Sequence, residues 1–260
     1  MMRRLMLWVL IVPGAQAAFD HSAWNQFLQR HVVVISGGNA TQLDYSGIAA
    51  DPLPLQEYTA ALSQIDKTTF DEWPEPEQLA FLVNAYNAFT IELILNEYPD
   101  LESIRDLGSL FTTPWEKEFF ELLGETRTLD ELEHQMIRGI FAEPRIHFAV
   151  NCASVGCPAL RAEAYTGSDL ENQLEDQTRR FLADESRNRP QGDALHVSKI
   201  FDWYREDFTT GWREANSLAD FLGLYASALG LDDAQRKALQ AGEVEIDFLK
   251  YDWSLNDVSP

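Results

Sequence analysis

Basic residues are scarce in this 260-residue chain, which has 20 lysines and arginines against 42 aspartates and glutamates. The formal net charge is therefore −22 at pH 7. Nucleic acids and anionic lipid surfaces bind proteins largely through patches of lysine and arginine. We expect neither as a partner, and we expect the acidic surface to keep the protein soluble.

The sequence beyond the N-terminus suggests no membrane span. Arg3 and Arg4 precede an apolar stretch at residues 5–12, a Pro-Gly break and the small-residue pattern Ala-Gln-Ala that ends at Ala17. This order is typical of a secretory signal peptide, whose apolar core is too short to cross a bilayer. We predict cleavage after Ala17 and a periplasmic or secreted mature protein.

Low-complexity linkers and internal repeats are also missing, so we predict a single globular domain over residues 18–260. Apolar periodicity and turn residues predict an α+β fold that is mostly helical, with a small antiparallel sheet. The predicted helices cover residues 22–31, 55–65, 75–98, 168–183, 218–229 and 234–240. Extended segments are predicted at residues 32–35, 42–45, 117–127, 146–150, 195–198 and 244–253.

The strongest helix signal is at residues 75–98, where apolar residues extend most of the way round and predict a buried helix. Asn84 and Asn87 are three residues apart and therefore share one face of it. Buried amides need hydrogen-bond partners. Two interpretations stay open: the pair bonds loop backbone, or it holds a ligand carbonyl or orients a histidine.

The chain has only two cysteines, Cys152 and Cys157, and both lie in the stretch PRIHFAVNCASVGCPAL. Apolar residues alternate at 146–150, which predicts a strand that leads into a turn-rich loop at Asn151. A strand continuing through Cys152 would place that thiol and His147 on opposite faces. In an exported protein the pair suggests a disulfide, whereas a free Cys152 is a candidate nucleophile.

A capping box at residues 128–131, TLDE, predicts the start of a further helix, which turns Leu132, Met136 and Ile140 inward. On this helix Glu133 and His134 are neighbours, and His134 shares a face with a residue one turn later, Arg138. Helical histidines beside acids are commonly solvated or capped. A catalytic base is the alternative.

Five sequence blocks together resemble one family. They are NAYNAF at 84–89, LDELEHQMIR at 129–138, PRIHFAVNCASVGCP at 144–158, IFDWYREDF at 200–208 and YDWSLND at 251–257. Their order and spacing are similar to the bacterial exported type of the family catalogued as domain of unknown function 547, over roughly residues 56–257. The resemblance singles out eight residues: Asn84, Tyr86, Asn87, Glu133, His134, Cys152, Trp203 and Tyr204.

Because the family's function is not established, we infer the possible reaction from the types of residue in these blocks. One hypothesis is a thiol hydrolase or acyltransferase, with Cys152 as nucleophile, His134 or His147 as base and Asn84 as orienting residue. This trio of residue types is used by transglutaminase-like and papain-like enzymes, which is an analogy only. The remaining residues, Asn87, Tyr86, Glu133, Trp203 and Tyr204, would bind the ligand.

A second hypothesis is a non-catalytic module that binds a small molecule or a peptide, with a structural Cys152–Cys157 disulfide. A third reading of the cysteines is a zinc site completed by His147 and His134, which an oxidising compartment disfavours. We therefore expect no metal and no cofactor.

Overall fold

The computed structural model describes residues 18–109 and 112–258. The predicted signal peptide at residues 1–17 lies outside them. The protein is an α+β structure, as predicted, with ten α-helices and three small sheets in its described part.

The N-terminal half builds one core around a single helix. Its helices are α1 (Ser22–His31), α2 (Tyr45–Ala50), α3 (Leu53–Ser63), α4 (Lys67–Asp71) and α5 (Glu75–Leu95). The hairpin of β1 (Val32–Ile35) and β2 (Ala40–Leu43) and that of β3 (Phe120–Leu122) and β4 (Glu125–Arg127) are both antiparallel. Fifteen of the 21 residues of α5 are buried, so this helix is the centre of the core.

By length and composition α5 could cross a membrane, so the expectation that no such run follows the N-terminus is wrong on that criterion. However, 83% of its most apolar window is buried inside the protein. A helix that is apolar all round and packed on by its neighbours is typical of a protein core. The helix also ends at Leu95, three residues before the predicted end.

The C-terminal half forms a second core of aromatic residues. Its helices are α7 (Leu170–Ala183), α8 (Ile200–Trp203), α9 (Leu218–Leu224) and α10 (Asp233–Gln240). Strands β5 (Arg189–Gln191), β6 (Ala194–Val197) and β7 (Glu245–Phe248) form one sheet, in which β6 pairs antiparallel with β5 but parallel with β7. The phenylalanines Phe148, Phe181, Phe201, Phe208 and Phe221 meet in this core.

Helix α6 (Leu129–Glu131) begins at the predicted capping box and continues as a π-helical segment, Leu132–Ile137. The Thr128 side chain accepts from the backbone amide of Glu131, and the Glu131 carboxylate accepts from the amide of Thr128. Leu132 is buried as predicted, whereas Ile140 is 58% exposed, so its predicted inward direction is wrong. The change from α to π winding alters which residues of this segment face the core.

The predicted strand at residues 146–150 is wrong, because Pro144–Phe148 forms a 3-10 helix. Phe148 packs in the C-terminal core while Ile146 and Val150 pack in the N-terminal core, so the segment is enclosed on both sides. Arg145 supplied the polar half of the alternating pattern, yet its side chain is only 2% exposed and is paired with three glutamates, Glu143, Glu171 and Glu175. The alternation therefore did not mark a solvent-facing side.

The buried asparagines of α5 are hydrogen-bonded, as predicted. Asn84 donates to the carbonyl of Tyr165 and accepts from the amide of the same residue, at 2.8 and 3.0 Å. Asn87 donates to the carbonyl of Ala149 at 3.0 Å and accepts from the amide of Asn151 at 2.8 Å. Each side chain thus ties the core helix to a loop.

We predict that Asn84→Leu destabilises the protein by about 1 to 3 kcal/mol, because both backbone groups of Tyr165 lose their buried partner. Urea unfolding measures the change. The control is Asn96→Leu, since Asn96 is exposed immediately after the same helix. An Asn84→Leu variant as stable as the control would show that the two hydrogen bonds between Asn84 and Tyr165 do not stabilise the protein.

Candidate binding cavity

Several segments that are distant in the sequence enclose a cavity of about 290 Å³. They include the core helix α5, the π-helical segment, the cysteine loop at residues 151–158, and two C-terminal stretches at 200–204 and 251–253. Six aromatic rings line it: Tyr86, Trp115, Trp203, Tyr204, Tyr251 and Trp253. Trp203 is 45% exposed and therefore marks the open side of the cavity.

The π-helical segment presents Glu133 and His134 to this cavity. Its wider winding is visible in the hydrogen bond from the Arg138 amide to the Glu133 carbonyl, five residues back, at 2.9 Å. Single π turns inside helices are rare and frequent at functional sites. The segment thus turns two neighbouring residues toward one space, although neighbours on an α-helix diverge by about 100°.

Glu133 is a buried acid, 6% exposed, that two tyrosines approach. Burial raises the pKa values of Tyr86 and Tyr204, and the nearby Glu133 carboxylate raises them further. Both phenols therefore stay protonated beside the carboxylate. Glu133 also helps to raise the pKa of Arg138, but it forms no ion pair within the described residues.

Asp207 is the second acid of the region and has cationic partners. It accepts two hydrogen bonds from Arg138, at 2.6 and 3.0 Å, and one from His147 Nε2 at 2.6 Å. Burial opposes ionisation of Asp207, but these hydrogen bonds outweigh it and hold its pKa below the ordinary value. The charges of Asp207 and Arg138 therefore compensate each other.

The two histidines are engaged within this network. Burial lowers the pKa of His147 despite the nearby Asp207, so its neutral ring donates through Nε2–H. His147 also stacks on Tyr204, with ring centroids 4.0 Å apart. His134 Nδ1 accepts from Arg138 at 2.6 Å, and its Nε2 lies 3.5 Å from Asp130.

The cysteine loop brings the two sulfur atoms of Cys152 and Cys157 to disulfide-bonding distance, with their Cα atoms 6.1 Å apart. The Tyr251 hydroxyl lies 3.2 Å from the Cys152 sulfur and 3.3 Å from the Cys157 sulfur. Burial raises the pKa of Tyr251, so this hydroxyl remains a donor. The Cys152 sulfur otherwise lies 3.8 Å from the Ser154 hydroxyl.

The C-terminal residues 251–254 pack directly on the cysteine loop. The amides of Val155 and Gly156 donate to the carbonyls of Ser254 and Asp252, both at 2.8 Å. A Cβ atom at Gly156 would lie 2.9 Å from the Asp252 carbonyl oxygen, so only glycine allows this approach. The close packing fixes Tyr251 over the sulfur atoms.

Most of the residues singled out from the sequence meet in this cavity: Tyr86, Glu133, His134, His147, Cys152, Trp203 and Tyr204. Asn84 and Asn87 do not line it, because their amides are bonded to loop backbone. His147 and Cys152 share the cavity, so the argument from strand parity that separated them is wrong. No histidine hydrogen-bonds to the Cys152 sulfur within residues 18–109 and 112–258.

Sequence reasoning missed Asp207, Tyr251, Trp253 and Trp115 as site residues. Asp207 lies in the IFDWYREDF block and the two C-terminal rings lie in YDWSLND, so the blocks contained the signal for three of the four. Trp115 lies outside all five blocks. In the described part of the chain, no cluster of three or more His, Cys, Asp or Glu residues could hold a metal ion, so the zinc alternative finds no support.

Comparison with known families gives one result. Residues 70–182 match the family model described as "Protein of unknown function, DUF547". The match supports the resemblance of this chain to the DUF547 family. It covers less than half of the chain and a shorter stretch than the resemblance implied, so the blocks at 200–208 and 251–257 lie beyond it.

The DUF547 match contains Glu133, His134 and both cysteines, but its description assigns them no activity. No curated protein and no solved structure matches the chain. Any function must therefore be argued from the cavity itself.

We predict that Asp207→Asn lowers the free energy of unfolding by about 1 to 3 kcal/mol, because Arg138 and His147 lose a charged acceptor. The pKa of His147 should fall further, since the carboxylate favours the protonated ring. Urea unfolding and an NMR titration of the His147 ring measure the two effects. Asp202→Asn is the control, as Asp202 pairs with Lys199 on the surface; equal effects in both variants would contradict the role of Asp207.

Proposed function

We propose that the protein is an exported, non-catalytic module that binds a small molecule in the aromatic cavity, with a structural disulfide between Cys152 and Cys157. One observation carries the proposal: the Cys152 sulfur lies against Cys157 and the Tyr251 hydroxyl, while both histidines are bonded elsewhere. A nucleophilic thiol needs a neighbouring base, and this sulfur has none.

The size and lining of the cavity support a small ligand. Sites for small molecules are typically concave, mostly apolar and about 300 to 1,000 Å³, with a few polar groups that fix orientation. This cavity lies at the lower limit of that range, at about 290 Å³. Its rings supply apolar contact area, and Glu133 and Asp130 supply polar contacts.

A disulfide agrees with the position of the cysteines and with export. The Cα separation of 6.1 Å lies within the usual range of about 4.4 to 6.8 Å. Disulfides persist in exported proteins. A bridge across so short a loop stabilises by about 2 kcal/mol, and it would keep the sulfur atoms oxidised in the cavity wall.

The thiol hydrolase is the second candidate, and one observation favours it. Cys152 lines the same cavity as His134 and His147. However, the Asn84 amide that was to orient the base is bonded to Tyr165 on another side of the core. His134 would also have to leave Arg138 before it could take a proton from the thiol.

We predict that the exported protein starts at Ala18 and takes up no iodoacetamide when native, because both sulfur atoms are in the disulfide. Intact mass spectrometry without reductant reads the N-terminus and the alkyl groups together. Reduction and unfolding should then give two alkyl groups per chain. A native protein that is rapidly alkylated at Cys152 would reject the module in favour of the hydrolase, and a retained Met1 would reject export.

We predict that the cavity binds at least one member of a panel of small molecules. Isothermal titration calorimetry with choline, 3,3-dimethylbutan-1-ol, glucose and glycylglycine covers cationic, apolar, sugar and peptide chemistry. Binding should weaken in Trp203→Leu, which removes a ring at the open side without disturbing the buried core. A panel with no binder, or an affinity that Trp203→Leu leaves unchanged, would contradict binding in this cavity.

A further inference from the structure

We propose that the ligand of the aromatic cavity is a small organic cation with an alkylated ammonium group. This inference rests on the proposed binding function and names the class of its ligand. The observations that carry it are a buried acid in the cavity wall, two rings without cationic partners, and the lack of lysine and arginine among the lining residues in the described part of the chain.

The charge of the cavity is negative. Glu133 and Asp130 line it, and no lysine or arginine does so in the described residues. The neighbouring guanidinium, Arg138, is held by both carboxylate oxygens of Asp207. Glu133 itself forms no ion pair within the described residues, although Arg138 is near enough for the two charges to interact. A bound cation would supply the missing positive charge.

The rings suit a cation without N–H donors. The face of an aromatic ring attracts a positive charge within about 6 Å of its centroid, and quaternary ammonium groups are recognised in this way. Two cavity rings already make cation–π contacts within the protein. Arg138 lies 4.8 Å from the centroid of Tyr204, and Arg105 lies 5.3 Å from that of Trp253. Within the described chain, no arginine or lysine lies over Trp203 or Tyr251.

Other ligand classes fit less well. A phosphate or carboxylate would meet Glu133 and Asp130 with no basic partner, which repels it. A neutral sugar can stack on tryptophan faces but gains nothing from the negative charge. The net charge of −22 also raises the local concentration of small cations around the protein.

The test compares choline with its neutral isostere 3,3-dimethylbutan-1-ol, in which carbon replaces the quaternary nitrogen. By calorimetry on the mature protein, choline should bind about tenfold more tightly, since the two differ only in charge. Glu133→Gln should reduce that preference about tenfold. Asp130→Asn, at a side chain that is 46% exposed, should reduce it in a variant that alters no buried group.

Glu206→Gln is the matched control, because it removes one exposed acid outside the cavity and should leave the preference unchanged. Equal affinities for choline and its isostere would overturn the cationic ligand, as would binding of glucose alone. Both results would leave the binding function standing. An equal loss in Glu206→Gln would also overturn the inference, since it would assign the preference to the overall charge. Absence of any binding would remove the proposed function with it.

Discussion

The two hydrogen bonds of the Asn87 side chain join the most buried helix of the protein to the start of the cysteine loop. One amide satisfies the carbonyl of Ala149 and the backbone N–H of Asn151, at 3.0 and 2.8 Å. Buried backbone groups without partners are costly, so the loop can enter the core only where such an amide is available. Cys152 follows Asn151 directly, so its position depends on these two hydrogen bonds of Asn87.

Other side-chain amides extend this hydrogen-bond network around the cysteine loop. Asn151 Oδ1 accepts from the amide of Ala153 at 2.9 Å, and Asn151 Nδ2 donates to the carbonyl of Pro158 at 2.8 Å. Asn256 brings the C-terminal stretch to the same place, since its Nδ2 donates to Asn151 Oδ1 at 3.3 Å. A loop without regular structure is thereby held from the core helix and from the C-terminus at once, which gives the cavity a fixed wall.

The two acids beside this wall differ because their partners differ. Asp207 receives donors from a guanidinium and an imidazole, which lower its pKa and balance its charge. Glu133 lies beside the phenols of Tyr86 and Tyr204 and forms no ion pair within the described residues. Asp207 is therefore paired within the structure, whereas Glu133 faces the aromatic cavity without a paired cation. That difference is the physical basis for expecting a cation.

Periodicity predicted the helices well, because apolar spacing reports directly on burial. It also predicted that Asn84 and Asn87 are buried and paired, since an apolar helix offers amides no other environment. It failed at residues 146–150, where two cores enclose one segment and three glutamates neutralise the buried Arg145. The contact between Asp207 and His147 spans 60 residues, so local patterns in the sequence could not reveal it.

The family match covers only some of the residues that line the cavity. Glu133 and both cysteines lie within residues 70–182, whereas Trp203, Tyr204, Tyr251 and Trp253 lie beyond it. Four of the six cavity rings are thus supplied by a part of the chain that the family model does not describe. A carboxylate alone attracts any cation, and the rings make alkylated ammonium groups preferable to hydrated ones. Family membership therefore does not by itself carry the ligand class from one protein to another, because the matched segment lacks these four rings.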